Sequence, residues 1–210
     1  MTTSFKIAVI GGTGKSGTYL VEELLRRSFS LRLLLRRPHP VMNVETVLGN
    51  VTEPDALYRL LSGCDAVVST LGLGQPPSEP IIFSQSTRHV LQAMQETGIR
   101  RYVLTTGLNV DTPGDIKSQA TAAGTAWMQR TFPVSTADKQ LEYKLLTESS
   151  ADWTLVRLPL IELTDAAPPV VASLHDCPGD AVSVTSLARF LADQLFDPAY
   201  VRQAPFLANA

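Results

Sequence analysis

The feature that most constrains this chain is a glycine-rich turn directly after a short, mostly apolar run. Residues 11–17 read Gly-Gly-Thr-Gly-Lys-Ser-Gly and follow the run of residues 5–10. Glycines spaced three apart, at Gly11, Gly14 and Gly17, allow a tight turn, close approach of backbone to an anion, and close packing of helix on strand. The pattern predicts a strand, a turn and a helix whose N-terminal amides face a pyrophosphate.

A loop that wraps a nucleoside triphosphate is the main rival interpretation of this turn. Gly14, Lys15 and Ser16 match the last three residues of that motif. The motif also needs a glycine five positions before Gly14, where this chain has Val9. The turn is therefore interpreted as dinucleotide-binding.

Two arginines end the next apolar run and bear on which dinucleotide binds. Arg36 and Arg37 follow residues 31–35, where an NAD-selective site usually carries an acidic residue for the ribose hydroxyl. Guanidinium groups instead suit a phosphate. We predict NADP as the cofactor, with NADPH preferred over NADH. The alternative is a solvated basic strand end.

Strand and helix patterns alternate along the chain. Strands are predicted at residues 5–10, 31–35, 44–48, 65–71, 101–106 and 153–158, and helices at residues 15–27, 54–61, 79–97, 136–149 and 185–196. Such alternation is typical of a parallel sheet covered on both faces. We expect an α/β fold, a doubly wound Rossmann-like sheet of strand order 3-2-1-4-5-6, as one domain over residues 1–210.

Two long segments interrupt this alternation. Residues 107–134 and residues 159–180 each follow the carboxyl end of a predicted strand. Open α/β sheets bind ligands at that edge, and long loops in compact domains are usually functional. We therefore predict that the two segments form a small lid over a substrate, with ordinary packing of a connection as the alternative.

Composition excludes several other classes. With 210 residues and a net charge of −2, the chain has no basic field for nucleic acid and no apolar run long enough for a membrane. Cys64 and Cys177 have no metal-type spacing, and His175 lacks a second ligand cluster, so no metal site is predicted. The residues from Met1 to Lys6 lack the long apolar region of a signal peptide, which predicts a cytoplasmic protein. We also expect a monomer or a homodimer.

Several stretches together resemble a known family. They are residues 10–17, 35–38, 49–51, 63–72, 105–107, 138–142, 152–157 and 182–185, in the family's order and over most of the chain. On these stretches the chain resembles atypical short-chain dehydrogenase/reductases of the NmrA-like and flavin-reductase (biliverdin reductase B-like) group. The first stretch and residues 152–157 are the most characteristic.

The resemblance implies a set of cofactor-binding residues. Those expected to line the pyrophosphate are Gly11, Thr13, Gly14, Lys15, Ser16 and Gly17. Those expected to hold the rest of the cofactor are Arg36 with Arg37 at the 2′-phosphate, Asn50 and Val51 beside the adenine, and Thr70, Leu71 and Gly72 beside the pyrophosphate and nicotinamide ribose. Asn50 departs from the family, which usually has Asp there.

The same resemblance places Thr106 at the family's active-site serine and Lys139 at its active-site lysine, which also binds the nicotinamide ribose of the cofactor. Members with the full catalytic pattern carry a tyrosine four residues before that lysine, and this chain has Ser135 there. An alkyl hydroxyl is a much weaker acid than a phenol, so Ser135 is a poor proton donor. Tyr143, one helical turn past Lys139, is the candidate substitute.

The missing tyrosine directs the functional prediction. Hydride transfer to an electron-poor acceptor needs little proton chemistry from the protein. The sequence therefore predicts an NADPH-dependent oxidoreductase acting on a flavin, a quinone or a similar small acceptor. The alternatives are a non-enzymatic NADP-binding redox sensor of NmrA type, and an NAD(P)-dependent sugar epimerase or reductase.

Overall fold

The computed structural model describes residues 5–38, 44–74 and 78–209, so the first residues of the Met1–Lys6 stretch lie outside it. The elements, in chain order, are β1 (Lys6–Ile10), α1 (Lys15–Arg26), β2 (Ser30–Leu35), β3 (Glu45–Leu48), α2 (Pro54–Leu61), β4 (Ala66–Ser69), α3 (Ile82–Thr97), β5 (Arg101–Gly107), α4 (Gln119–Thr131), α5 (Pro133–Glu148), β6 (Asp152–Leu158), β7 (Leu160–Glu162), β8 (Val170–Ser173), β9 (Ala181–Ser183), α6 (Val184–Gln194) and β10 (Phe206–Asn209).

The central sheet has the order β3-β2-β1-β4-β5-β6-β10-β8. The first six strands run parallel, and this confirms the predicted order 3-2-1-4-5-6. β10 adds to β6 in parallel, and β8 closes the edge antiparallel to β10. The chain order reverses between β1 and β4, and their carboxyl ends form the edge at which such sheets bind ligands.

Alternation along the buried strands divides the core into two halves. On β1, Ala8 and Ile10 pack toward α2, α3 and α5, whereas Ile7 and Val9 pack toward α1 and α6. Helices therefore cover both faces, as a parallel sheet with apolar side chains on each face requires. Both faces of β1 are buried, which fixes the position of the turn that follows it.

The two long segments contain structure that the sequence did not reveal. Residues 107–134 are not only a connection, because they include α4, whose first turn is capped by the Ser118 side chain accepting from the Thr121 amide. The buried residues of α4 are Thr121 and Thr125. The sequence of this helix therefore lacks the apolar periodicity by which a helix is predicted. Residues 159–180 supply β7 and the edge strand β8. The lid role of both segments remains a prediction.

No helix in the described parts of the chain is long and apolar enough to cross a membrane.

Candidate functional site

The glycine-rich turn leaves β1 in a conformation that needs glycine. Gly11 has φ of +79°, and a Cβ there would lie 2.9 Å from the Thr70 carbonyl carbon and oxygen. A Cβ on Gly17 would overlap the Gly11 carbonyl oxygen. Any side chain at these two positions therefore displaces backbone, which explains the glycine spacing.

The N-terminus of α1 is open toward the same edge of the sheet. Gly14 is the N-cap, with extended backbone and no side-chain hydrogen bond to the first turn. The Gly14 amide donates to the Gly11 carbonyl at 2.9 Å, which closes the turn beneath the helix. Free amides and the positive end of the helix dipole make such a terminus a binding site for phosphate groups.

A cavity of about 570 Å³ lies over this helix terminus. The sequence-predicted residues that line it are Gly11, Thr13, Gly14, Lys15, Ser16, Arg36, Asn50, Val51, Thr70, Leu71 and Gly72. The residues that sequence reasoning missed are Ile10, Leu34, Gly74, Ser78 and Ile82. Three predicted cofactor residues, Gly17, Arg37 and Lys139, are not part of its lining. The volume is within the range of ordinary ligand and cofactor sites.

The lining fits a phosphorylated dinucleotide. Exposed Arg36 lies on the cavity at the end of β2, whereas its exposed neighbour Arg37 does not contribute. Asn50 and the buried Val51 lie on the same side, after β3. Open helix amides, one guanidinium and an apolar wall match the pyrophosphate, an additional phosphate and a base, respectively.

The other end of the site is formed where Lys139 reaches the carboxyl end of β5. Its Nζ lies 3.6 Å from where a Cβ on Gly107 would stand and 4.8 Å from the centroid of the Phe83 ring. Phe83 follows Ile82, which lines the dinucleotide cavity. Burial lowers the pKa of Lys139, and the charge of Glu142 opposes this effect. Lys139 is thus a half-buried amine at the carboxyl end of β5 rather than a fully solvated surface lysine.

The residue before Lys139 anchors α5 to α3. Asp138 is buried and accepts hydrogen bonds from the Phe83 amide at 2.9 Å and the Ser84 amide at 3.2 Å, and also from the Ser84 hydroxyl. These amides belong to the first turn of α3, whose own N-cap residue, Ile81, makes no side-chain hydrogen bond. A carboxylate from a neighbouring helix therefore caps α3 and fixes the register of Lys139.

Two buried polar atoms near β5 lack partners among the described residues. They are Oγ1 of Thr106 and Oδ1 of Asn109. The Asn109 amide donates to the Thr136 hydroxyl at 3.1 Å, and its oxygen lies close to the Cβ position of Gly107. Asn109 was missed by sequence reasoning because its position depends on how the chain turns after β5.

Thr106 lies on the face of β5 that α5 covers, and its role as the counterpart of the family's active-site serine stays a prediction. It follows Tyr102 and Leu104 on alternate positions, and both of these pack in the core half that includes α3 and α5. Thr106 is not part of the cavity lining. A buried hydroxyl without a partner is the kind of group that a bound ligand satisfies.

The two candidate proton donors are placed differently. Ser135 is half-buried in the first turn of α5 and is not part of the cavity lining. The Tyr143 ring packs edge-on against Trp153 with 6.0 Å between centroids. Trp153 lies at the amino end of β6, opposite the cofactor edge. The structure therefore places Lys139 beside Gly107 at the carboxyl end of β5 and leaves Tyr143 packed against Trp153.

Comparisons with solved structures show the same fold over nearly the whole chain. A short-chain dehydrogenase/reductase (wide type) from Veillonella parvula in complex with NADP aligns at a TM-score of 0.80 and 16% identity, covering 99% of this chain and 95% of that chain. ChuY, an anaerobillin reductase from Escherichia coli O157:H7, aligns at a TM-score of 0.79 and 18% identity, covering 97% of both chains.

Sequence similarity to curated proteins is confined to part of their length. Sterol-4-alpha-carboxylate 3-dehydrogenase, decarboxylating, from Bos taurus is 27% identical over 119 residues, which are 54% of this chain and 33% of that protein. The chain spans about a third of the length of this relative. A family model described as NAD(P)H-binding matches residues 11–198. The chain therefore belongs to this NAD(P)H-binding family.

Proposed function

We propose that this protein is an NADPH-dependent oxidoreductase that reduces a flavin, a quinone or a similar flat, electron-poor small molecule. The observation that carries the proposal is the amine of Lys139 at the carboxyl end of β5, with a serine, Ser135, one turn before it on α5. A positive charge and small hydroxyls at this edge suit hydride acceptors that need orientation more than an acid from the protein.

The roles of the residues follow from their positions. The turn with Gly11 and the open end of α1 would hold the pyrophosphate, and Arg36 would bind the additional phosphate. The bound nicotinamide supplies the hydride. Lys139 would bind near the nicotinamide ribose and favour negative charge that develops on the acceptor, and the Thr106 hydroxyl would satisfy a polar atom of the ligand. An anaerobillin reductase of the same fold is consistent with a reductase that acts on a small molecule.

The test is oxidation of NADPH by the purified protein against a panel of flavins, quinones and linear tetrapyrroles. We expect the nicotinamide absorbance to fall faster than in the blank with at least one acceptor. Lys139→Met should slow this at least tenfold, whereas Lys144→Met, an exposed lysine on the same helix, should not. Binding of NADPH without turnover of any acceptor would reject the reductase and favour the redox sensor.

A further inference from the structure

A buried acid lies one helical turn beyond Lys139. Glu142 is only 4% exposed, in the middle of α5. The Thr87 hydroxyl, from α3, donates to its Oε1 at 2.8 Å. Its Oε2 is buried without a hydrogen-bond partner among the described residues. A carboxyl group in such surroundings costs free energy when ionised unless a cation is near, and such groups are therefore rare without a role.

The surroundings of Glu142 continue as a chain of buried polar groups toward the cavity. The Tyr102 hydroxyl, on β5, interacts with both Thr87 and Ser69. Ser69 ends β4, and its hydroxyl accepts from the Leu71 amide at 3.3 Å. Leu71 lines the dinucleotide cavity. These polar groups form one path from Glu142 to the wall of the cavity. The path draws on four elements, which are α5, α3, β5 and β4.

The charges of Lys139 and Glu142 act on each other's pKa. On α5, Lys139 attracts the ionised carboxyl, whereas Asp138 repels it. Burial raises the pKa of Glu142 to about 7, while the Thr87 hydrogen bond and the Lys139 charge act in the opposite direction. Burial lowers the pKa of Lys139, and Glu142 counters that effect. Tyr102, deeply buried, has a raised pKa and stays neutral.

We propose that Glu142 is a positioning residue, the buried counter-charge that keeps the Lys139 amine protonated at the cofactor edge, and that Thr87 and Tyr102 hold it there. The proposal rests on the proposed function for the role of Lys139. Glu142 does not touch the cavity itself, and it acts through Lys139. Because opposite charges one helical turn apart stabilise each other, loss of the carboxylate should make the amine lose its proton at lower pH.

The direct test is competitive acetylation of the five lysines across pH 6 to 11, with each lysine followed by peptide mass spectrometry. In Glu142→Gln, the midpoint of Lys139 reactivity should move to lower pH. The matched control is Glu148→Gln, which removes an exposed carboxylate 3.8 Å from Lys144 on the same helix. It should leave the Lys139 midpoint unchanged. An unchanged Lys139 midpoint in Glu142→Gln would overturn the proposal.

A second variant keeps the test decisive if Glu142→Gln folds poorly. Glu142→Met removes the same carboxylate and replaces it with an apolar side chain of similar length, so the Lys139 midpoint should move in the same direction as in Glu142→Gln. No movement in that variant would also overturn the proposal. NADPH binding is measured separately by its fluorescence. Failure of the wild type to bind NADPH would reject the proposed function, whereas the labelling result alone decides the role of Glu142.

Discussion

Arg36 and Arg37 differ in whether they can contact a ligand in the cavity. They are adjacent and exposed, yet only Arg36 lies on the cavity at the end of β2. A guanidinium group binds phosphate through charge-assisted hydrogen bonds, which are stronger than neutral ones. Preference between NADPH and NADH should therefore depend on the first arginine and little on the second.

The change Arg36→Glu should weaken NADPH binding about ten- to one-hundred-fold relative to NADH, because loss of a charge-assisted contact costs about 1.5–3 kcal/mol. Fluorescence titration with each dinucleotide measures this ratio. Arg37→Glu, with the same charge change one residue along, should alter the ratio much less. Equal weakening of both dinucleotides by Arg36→Glu would contradict its assignment to the additional phosphate.

Glu142 predicts a pH-dependent contribution to stability. Because its pKa rises from 4.5 to about 7 on folding, the folded state holds the proton more tightly than the unfolded state. The free energy of unfolding of the wild type should therefore fall as pH rises through this window. Glutamine does not titrate in this range. The free energy of unfolding of Glu142→Gln, relative to that of the wild type, should therefore rise by up to about 3 kcal/mol between pH 4.5 and pH 7.5.

Urea unfolding at intervals of one pH unit measures this difference. The control is Glu148→Gln, at an exposed position on the same helix. Its free energy of unfolding should equal that of the wild type at every pH. A constant difference between Glu142→Gln and the wild type across the window would show that the carboxyl does not titrate as its burial demands.

The contact between α5 and α3 determines the site at the scale of elements. α3 begins without a side-chain cap from its own N-cap residue, and Asp138 of α5 supplies the acceptor for two of its first amides. The same contact sets where Lys139 emerges relative to Phe83. The same contact between the two helices therefore caps α3 through Asp138 and positions the Lys139 amine.

Replacing Asp138 with alanine should destabilise the fold by about 1–3 kcal/mol, since buried amides lose their acceptor. Denaturant unfolding measures this loss. Asp55→Ala removes an exposed acid from the first turn of α2 and should cost less, about 0.3–1 kcal/mol, through the helix dipole alone. Similar losses of unfolding free energy in the two variants would contradict the capping of α3 by Asp138.

The whole molecule is organised around the edge formed by the carboxyl ends of the neighbouring strands β1 and β4. The cavity draws residues from the ends of β1, β2, β3 and β4 and from the start of α3. A ligand there holds together elements distant in the chain, so its binding should stabilise the entire fold. Binding to the folded state alone raises stability in proportion to the logarithm of ligand concentration.

Saturating NADP should accordingly raise the midpoint of thermal unfolding by about 5–10 °C at a concentration one hundred times the dissociation constant. Gly14→Val, at a glycine on the cavity wall, should abolish this shift. Gly114→Ala is the control, because a Cβ there meets nothing within 4 Å. An undiminished shift in Gly14→Val would place the dinucleotide elsewhere.

Patterns in the sequence were enough to predict several features of the fold and the cavity. The turn at Gly11, Gly14 and Gly17, the order of six parallel strands and the cavity position of Arg36 could all be predicted, because glycine spacing and strand alternation act within a few residues. It missed α4, whose buried positions are threonines rather than a regular apolar stripe.

The surroundings of Lys139 depend on contacts that form only when the chain has folded. The approach of Lys139 to Gly107, the cap from Asp138 to α3 and the Thr87–Glu142 hydrogen bond join residues more than 30 positions apart. Their polar groups pair only after the helices have packed on the sheet and excluded water. No period or motif in the chain encodes that pairing, because its energy comes from burial that exists only in the folded molecule.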